Sequence, residues 1–274
     1  MTIEMQMTAP AVTTSAARRT SDYASRPTTW FGDVWTSTIR ELRPVLHNPP
    51  SVLFAMVQPL VFLGLFAPLL PESEGGSALQ WFVPGIVTMT ALMSASFTGA
   101  NLSEEIISGS HERILVSPLR RSAVMVGKAL REVVPLVLQT LIIVAAVTPF
   151  SFDLHALGVV VGIVVLVPFS IGLASLSIAL AGAVKDQAWV FWTVQQTAVF
   201  PLLLLAGVLL PLDGAPKWLR VASDLNPMTY VVDAERALFA GDWSAGTVLA
   251  GLAASAIVGA FGLAVGVRGM NRAS

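Results

Sequence analysis

Glu104-Glu105-Ile106-Ile107-Ser108-Gly109-Ser110-His111-Glu112-Arg113-Ile114-Leu115-Val116-Ser117-Pro118-Leu119-Arg120-Arg121 is a charged run between two long apolar stretches. Its basic character continues to Lys128 and Arg131. Gly109 or Ser110 is expected to break a helix arriving from the left, since neither favours a helix interior. His111 to Val116 then has the spacing of a short amphipathic turn, and Ser117-Pro118 closes it. Taken alone, the run also fits an ordinary positively charged loop that fixes membrane topology.

The surroundings of this run settle the class. Of 274 residues, 54% are hydrophobic and 12% charged, and mean hydropathy is +0.73. A soluble domain of this size carries about 25% charged residues. Long apolar runs with so few charges indicate a helical membrane protein. Net charge is −1, which points to no acidic or nucleic-acid partner. Cysteine is absent, which excludes disulfides, thiolate metal sites and cysteine nucleophiles.

Six segments approach the ~20 residues needed to cross a bilayer: 51–70, 81–103, 133–150, 156–181, 188–210 and 245–267. With an even number, both termini share a side. Thirteen of the 16 basic residues flank the spans on that side, and only Lys217, Arg220 and Arg236 lie on the other. The positive-inside rule therefore puts both termini, and the run after the second span, in the cytoplasm.

Upstream, residues 1–27 are rich in Thr, Ser and Ala and lack the apolar core of a secretory signal, which predicts a disordered cytoplasmic tail. Between 28 and 46, Phe31, Val34, Trp35, Ile39, Leu42, Val45 and Leu46 recur at helical spacing, with Asp33, Thr36, Ser37, Arg40 and Glu41 opposite. This predicts an amphipathic interfacial helix over 28–48. Pro44 and Pro49-Pro50 are expected to end it. The membrane domain then occupies 49–274.

Between the last two spans, Asn226-Pro227 reads as a helix start and Gly241 as a stop. The helix between them is too short to cross. With the preceding Trp218 and Leu219 it predicts two short helices dipping into the outer leaflet as a re-entrant hairpin. The predicted fold is thus an all-α membrane protein. It has six transmembrane helices, an interfacial helix, a cytoplasmic helix after the second span and an external hairpin before the last.

Several chemistries lack their residues. No ionisable side chain falls in the middle third of a predicted span, which argues against proton- or sodium-coupled transport. There is no G-x-x-x-x-G-K-[ST] loop to cradle a nucleotide. His47, His111 and His155 are scattered, so no metal site is predicted. No serine in the spans has a histidine base at its depth, which disfavours a membrane-embedded hydrolase.

The Gly109-Ser110-His111-Glu112-Arg113-Ile114-Leu115-Val116-Ser117-Pro118-Leu119 run resembles the coupling-helix region of type-two ABC export permeases, with its G-[ST]-x-E-x-[LI]-x-x-[ST]-P pattern. Leu225-Asn226-Pro227-Met228-Thr229-Tyr230, with Asp233, Arg236 and Leu238, resembles their N-P-x-[ST]-Y…R-x-L element. Gly207-Val208-Leu209-Leu210-Pro211-Leu212 is similar to the span end before it. The order of parts matches from about Trp30 to the C-terminus, nearest to the daunorubicin-resistance-type multidrug branch. His111 stands where many relatives carry a small or hydrophobic residue.

The resemblance implies a half-transporter with no ATPase or cofactor of its own. Two such chains, most simply a homodimer, would pair with two ATP-binding subunits that carry ATP and Mg. The residues implied for contact with that motor are Glu104, Glu105, Gly109, His111, Glu112, Arg113, Leu115 and Pro118. The implied pathway residues, on the first, second and fifth spans, are Gln58, Met89, Met93, Phe97, Asn101, Gln195, Gln196 and Phe200. Asn226, Pro227, Tyr230, Asp233 and Arg236 would build the external hairpin. The expected cargo is a hydrophobic drug, antibiotic or lipid-like compound. A polysaccharide or glycolipid exporter is the alternative, and a scaffold or immunity subunit without transport is a further one.

Overall fold

The structure, a computed structural model, describes residues 29–47, 49–69, 77–109, 120–150, 152–184, 187–212 and 214–272. Every regular element among them is helical. In chain order these are α1 (Trp30–His47), α2 (Pro49–Phe66), α3 (Ala78–Ile107), α4 (Arg121–Leu130), α5 (Val133–Val147), α6 (Ala156–Val184), α7 (Ala188–Leu205), α8 (Lys217–Asp224), α9 (Pro227–Phe239) and α10 (Ala245–Arg272). A short 3₁₀ turn, Ala67–Leu69, continues α2. The tail expected over 1–27 and most of the loop after the first span lie outside the described residues.

Among the described residues, five helices are long and apolar enough to cross a membrane: α3, the column formed by α4 and α5, α6, α7 and α10. In α2 the apolar stretch is the shorter Leu53–Phe66. Ser77 opens α3, its hydroxyl accepting from the Gln80 amide. From there α3 runs to Ile107 through the centre of the molecule, packed against α6, α9, α5 and α7. Phe82, Ile86 and Leu92 are wholly enclosed. The closest pairing is α6 with α10. There a Cβ on Gly172 would collide with the Val258 carbonyl, and one on Gly262 with the Gly172 carbonyl. Ser255 donates to the Val165 carbonyl across the same contact. Small residues let helices approach closely where apolar lipid supplies no drive to associate.

Large apolar side chains face outward on α2 (Leu53, Phe54, Val57, Val61, Leu65), α6 (Leu157, Val160, Val164) and α10 (Leu249, Ile257, Phe261). A band of this size on so hydrophobic a chain is the surface a bilayer covers. The protein is an all-α membrane protein.

Two boundaries differ from the sequence expectation. α1 passes through Pro44 and ends only at His47. Pro44 lies in the last turn, so it interrupts the end of the hydrogen-bond ladder rather than its interior. The third apolar column begins at Arg121 rather than 133, with one turn at Arg131–Glu132 between α4 and α5. On α1, Asp33, Val34, Ser37, Thr38 and Glu41 are buried while Phe31, Trp35, Ile39 and Leu46 are exposed. Its polar face packs on α4, which leaves the apolar stripe for lipid.

Candidate functional site

The elbow after α3 is framed on both sides. Gly109 has φ +70°, a left-handed conformation open to glycine at no cost, and with Ser108 it turns the chain out of α3. The chain is described again at Arg120, where α4 starts. Of the residues implied for motor contact, Glu104 is exposed on the last turn of α3 and Glu105 is half-buried. His111, Glu112, Arg113, Leu115 and Pro118 lie outside the described residues.

What holds the elbow's ends is an ion network that only the folded chain assembles. Lys128 on α4 is 3% exposed. Its Nζ is 2.7 Å from Glu105 Oε1 and 2.8 Å from Oε2 on α3, and 3.2 Å from Glu41 Oε1 on α1. Arg40 adds a 2.9 Å contact to Glu41, and Arg131 reaches it at 3.8 Å. Burial alone would raise the Glu41 carboxyl, but the charge of Lys128 and hydrogen bonds from Arg40 and Lys128 outweigh it and hold the group below the usual carboxylate range. Close backbone contact completes the clamp. A Cβ at Gly127 would lie 2.6 Å from Ser37 Cβ. Ser37 Oγ donates to the Val124 carbonyl at 3.2 Å, and Trp30 Nε1 to Ser122 Oγ at 3.2 Å.

Beside this network lies a cleft of about 370 Å³ between α2, α3 and α5. It brings together Gln58, Met89, Met93, Phe97 and Asn101 from the expected pathway set. Gln195, Gln196 and Phe200 lie on α7 and are not among its walls. Gln195 is buried, whereas Gln196 and Phe200 are exposed. The ring of Phe97 meets Trp192 of α7 at 5.7 Å, so the two groups of residues adjoin. The cleft also contains Arg131, Glu132 and Gln139, which the sequence reading missed. Glu132, 2% exposed, accepts from Ser94 Oγ at 2.8 Å and Thr98 Oγ1 at 2.6 Å, and pairs with Arg131 at 2.9 Å. Ser94 and Thr98 stand one helical turn apart on α3, a spacing that in retrospect matches one bound carboxylate.

At the opposite end, α9 begins with Asn226, whose Oδ1 accepts from the Met228 amide at 3.1 Å and whose Nδ2 donates to the Leu202 carbonyl at 2.8 Å. Pro227 occupies the first helical turn. Tyr230 Oη donates to the Asp224 carbonyl, tying α9 to α8. The Arg236 guanidinium lies 4.0 Å from the Trp81 ring, donates to the carbonyls of Trp81 and Gly207, and pairs with Asp233 at 3.6 Å. Gln80 donates to the Phe239 carbonyl, and His155 Nδ1 approaches the same carbonyl at 3.1 Å. One end of α3 is thus fastened to the hairpin and the other to the elbow.

Glu235, also on α9, is fully enclosed against Gly162 of α6, and neither carboxyl oxygen has a hydrogen-bond partner. Burial pushes it up to about 8. No grouping of His, Asp and Glu among the described residues suits a metal ion.

These parts occur together in known proteins. The profile of the ABC-2 type transporter family matches residues 32–240. The chain is similar to the daunorubicin resistance ABC transporter permease protein DrrB1 of Streptomyces coeruleorubidus, at 28% identity over 77% of each chain. It is 28% identical to the putative transport permease ycf38 of Cyanophora paradoxa, over 70% of this chain and 69% of that one. Against the probable multidrug ABC transporter permease YbhR of Escherichia coli K12 the figure is 26%, over 60% of this chain and 45% of the relative. A family match running from α1 through the elbow and cleft to α9 leaves one assignment: the chain belongs to the ABC-2 type transporter family.

Proposed function

We propose that this chain is the permease subunit of an ATP-driven exporter for a hydrophobic drug, antibiotic or lipid-like compound. Two copies of it work with two ATP-binding subunits, whose ATP and Mg supply the energy. Its basic end, with both termini, faces the cytoplasm, and α8 and α9 form an external re-entrant hairpin. The motor grips the elbow through Glu104, Glu105, Gly109, His111, Glu112, Arg113, Leu115 and Pro118. The similarity to DrrB1 and YbhR, each named for resistance or multidrug transport, supports this cargo class over a glycan.

The observation that carries the reading is the Lys128 clamp. A force on residues 110–119 acts on both ends of the elbow, and Lys128 joins those ends to each other and to α1. They therefore move as one body. α3 carries that motion to the hairpin through Gln80 and the Trp81–Arg236 contact. A rigid-body switch of this kind, biased by a remote nucleotide, needs no catalytic group in the permease.

The test is reconstitution into sealed inside-out vesicles with a fluorescent hydrophobic dye. ATP-dependent accumulation is expected with the ATP-binding subunit present. Accumulation by this chain alone would overturn the proposal, as would none with both subunits.

A further inference from the structure

Gln139 is 5% exposed on α5, and its Oε1 makes no hydrogen bond. A buried amide oxygen left unbonded is costly, so a native position that keeps one calls for an explanation. Here the residue is a wall of the α2/α3/α5 cleft. Phe54, Met93 and Phe97 form an apolar side of the same cleft, and Phe54 and Phe97 are exposed. Methionine and aromatic side chains adapt to varied apolar shapes. The volume, about 370 Å³, is in the range of small-molecule sites.

The charges beside the cleft narrow the class of ligand. Two of its walls, Arg131 and Glu132, are paired with each other at 2.9 Å. Glu132 further accepts from Ser94 and Thr98, and Arg131 reaches toward Glu41. A cationic ligand would have to displace Arg131 from Glu132. An anionic one would have to displace two carboxylates from Arg131. A neutral hydroxyl or amide meets neither cost and supplies what Gln139 lacks. In apolar surroundings such a hydrogen bond has little water to compete with.

We propose, on the exporter reading above, that this cleft is a lateral binding site for a neutral amphiphile bearing a hydroxyl or amide. Gln139 is its specificity-determining residue. The ligand's polar group bonds the Gln139 amide while its apolar body lies along Phe54, Met93 and Phe97.

The test measures saturable binding to the complete complex with its ATP-binding subunit in lipid nanodiscs. The probes are 1,2-dioctanoylglycerol, its 3-O-methyl ether, dioctanoyl phosphatidic acid and dodecylammonium. Dioctanoylglycerol is expected to bind about fivefold tighter than the ether, the worth of one neutral hydrogen bond. The two charged probes should bind more weakly than dioctanoylglycerol. Gln139→Met should lower dioctanoylglycerol affinity to that of the ether and leave ether binding unchanged. Equal binding of alcohol and ether, preference for a charged probe, or unchanged discrimination in Gln139→Met would each overturn the proposal. The wild-type comparison needs no variant, so misfolding of Gln139→Met cannot mask it. Any of these failures alongside ATP-dependent dye transport removes the cleft assignment alone, whereas absent transport removes the exporter reading whatever the probes do.

Discussion

Lys128 Nζ lies 2.7 Å from Glu105 Oε1, which joins the start of the third apolar column to the end of the second across the elbow. The same ammonium reaches Glu41 on α1 at 3.2 Å. One buried cation therefore serves three helices, and removing it takes away the charge that Glu41 and Glu105 share. Lys128→Met should destabilise the protein by about 2 kcal/mol, less than a fully buried pair because Glu105 keeps some water. Thermal unfolding of the detergent-solubilised chain checks this, and Lys128→Arg should recover part of the loss.

Acid should loosen the same clamp. The folded Glu41 carboxyl is held below its ordinary value of 4.5. Its contribution is present in full above that value and is lost as pH falls through the lower folded one. The chain has no cysteine, so Phe31→Cys and Arg121→Cys on the exposed sides of α1 and α4 can take a spin-label pair. The distance distribution should be narrow at neutral pH and broaden below about pH 4.5. Glu41→Gln should remove that pH dependence.

Gly127 is where α1 and α4 come closest, so Gly127→Val should force Ser37 away and break its bond to the Val124 carbonyl. The expected cost is about 1–3 kcal/mol, typical of overpacking. The same spin-label pair should report a longer distance at neutral pH.

Glu235 gives the opposite pH profile. Its folded carboxyl is pushed up to about 8 from 4.5, so the folded state holds a proton that the unfolded state releases. Stability is full below about pH 4.5 and is lost as pH rises toward and through about 8. Glu235→Leu should flatten that slope and raise stability at pH 8 by about 1–3 kcal/mol, because it removes an unbonded buried carboxyl. Melting curves of both proteins at pH 5 and pH 8 decide it.

Local signals in the sequence were legible where the structure is local. Asn226-Pro227 starts a helix because the cap is made within two residues, and Gly109 marks a turn because its backbone conformation favours glycine. The α1 stripe was correctly periodic, yet which face meets protein depended on α4, far along the chain. The buried charges were not legible at all. Glu132 finds Ser94 and Thr98 on another helix, and Lys128 finds Glu41 and Glu105 on two. A single sequence shows such residues only as loop charges beside a span. Treating 133 as the start of the third span hid Glu132, which sits inside a helical column beginning at Arg121. Glu235 gives no sign in the sequence either, since only the fold encloses its side chain.

On the proposed function, a separate ATP-binding subunit works this permease through the elbow from Glu104 to Pro118. The most direct measurement is nucleotide hydrolysis and dye transport by the reconstituted complex, wild type against Glu112→Lys. The variant chain should still fold and insert but no longer support ATP-dependent transport, with hydrolysis uncoupled from it. Wild-type rates of both activities in Glu112→Lys would contradict the proposed function.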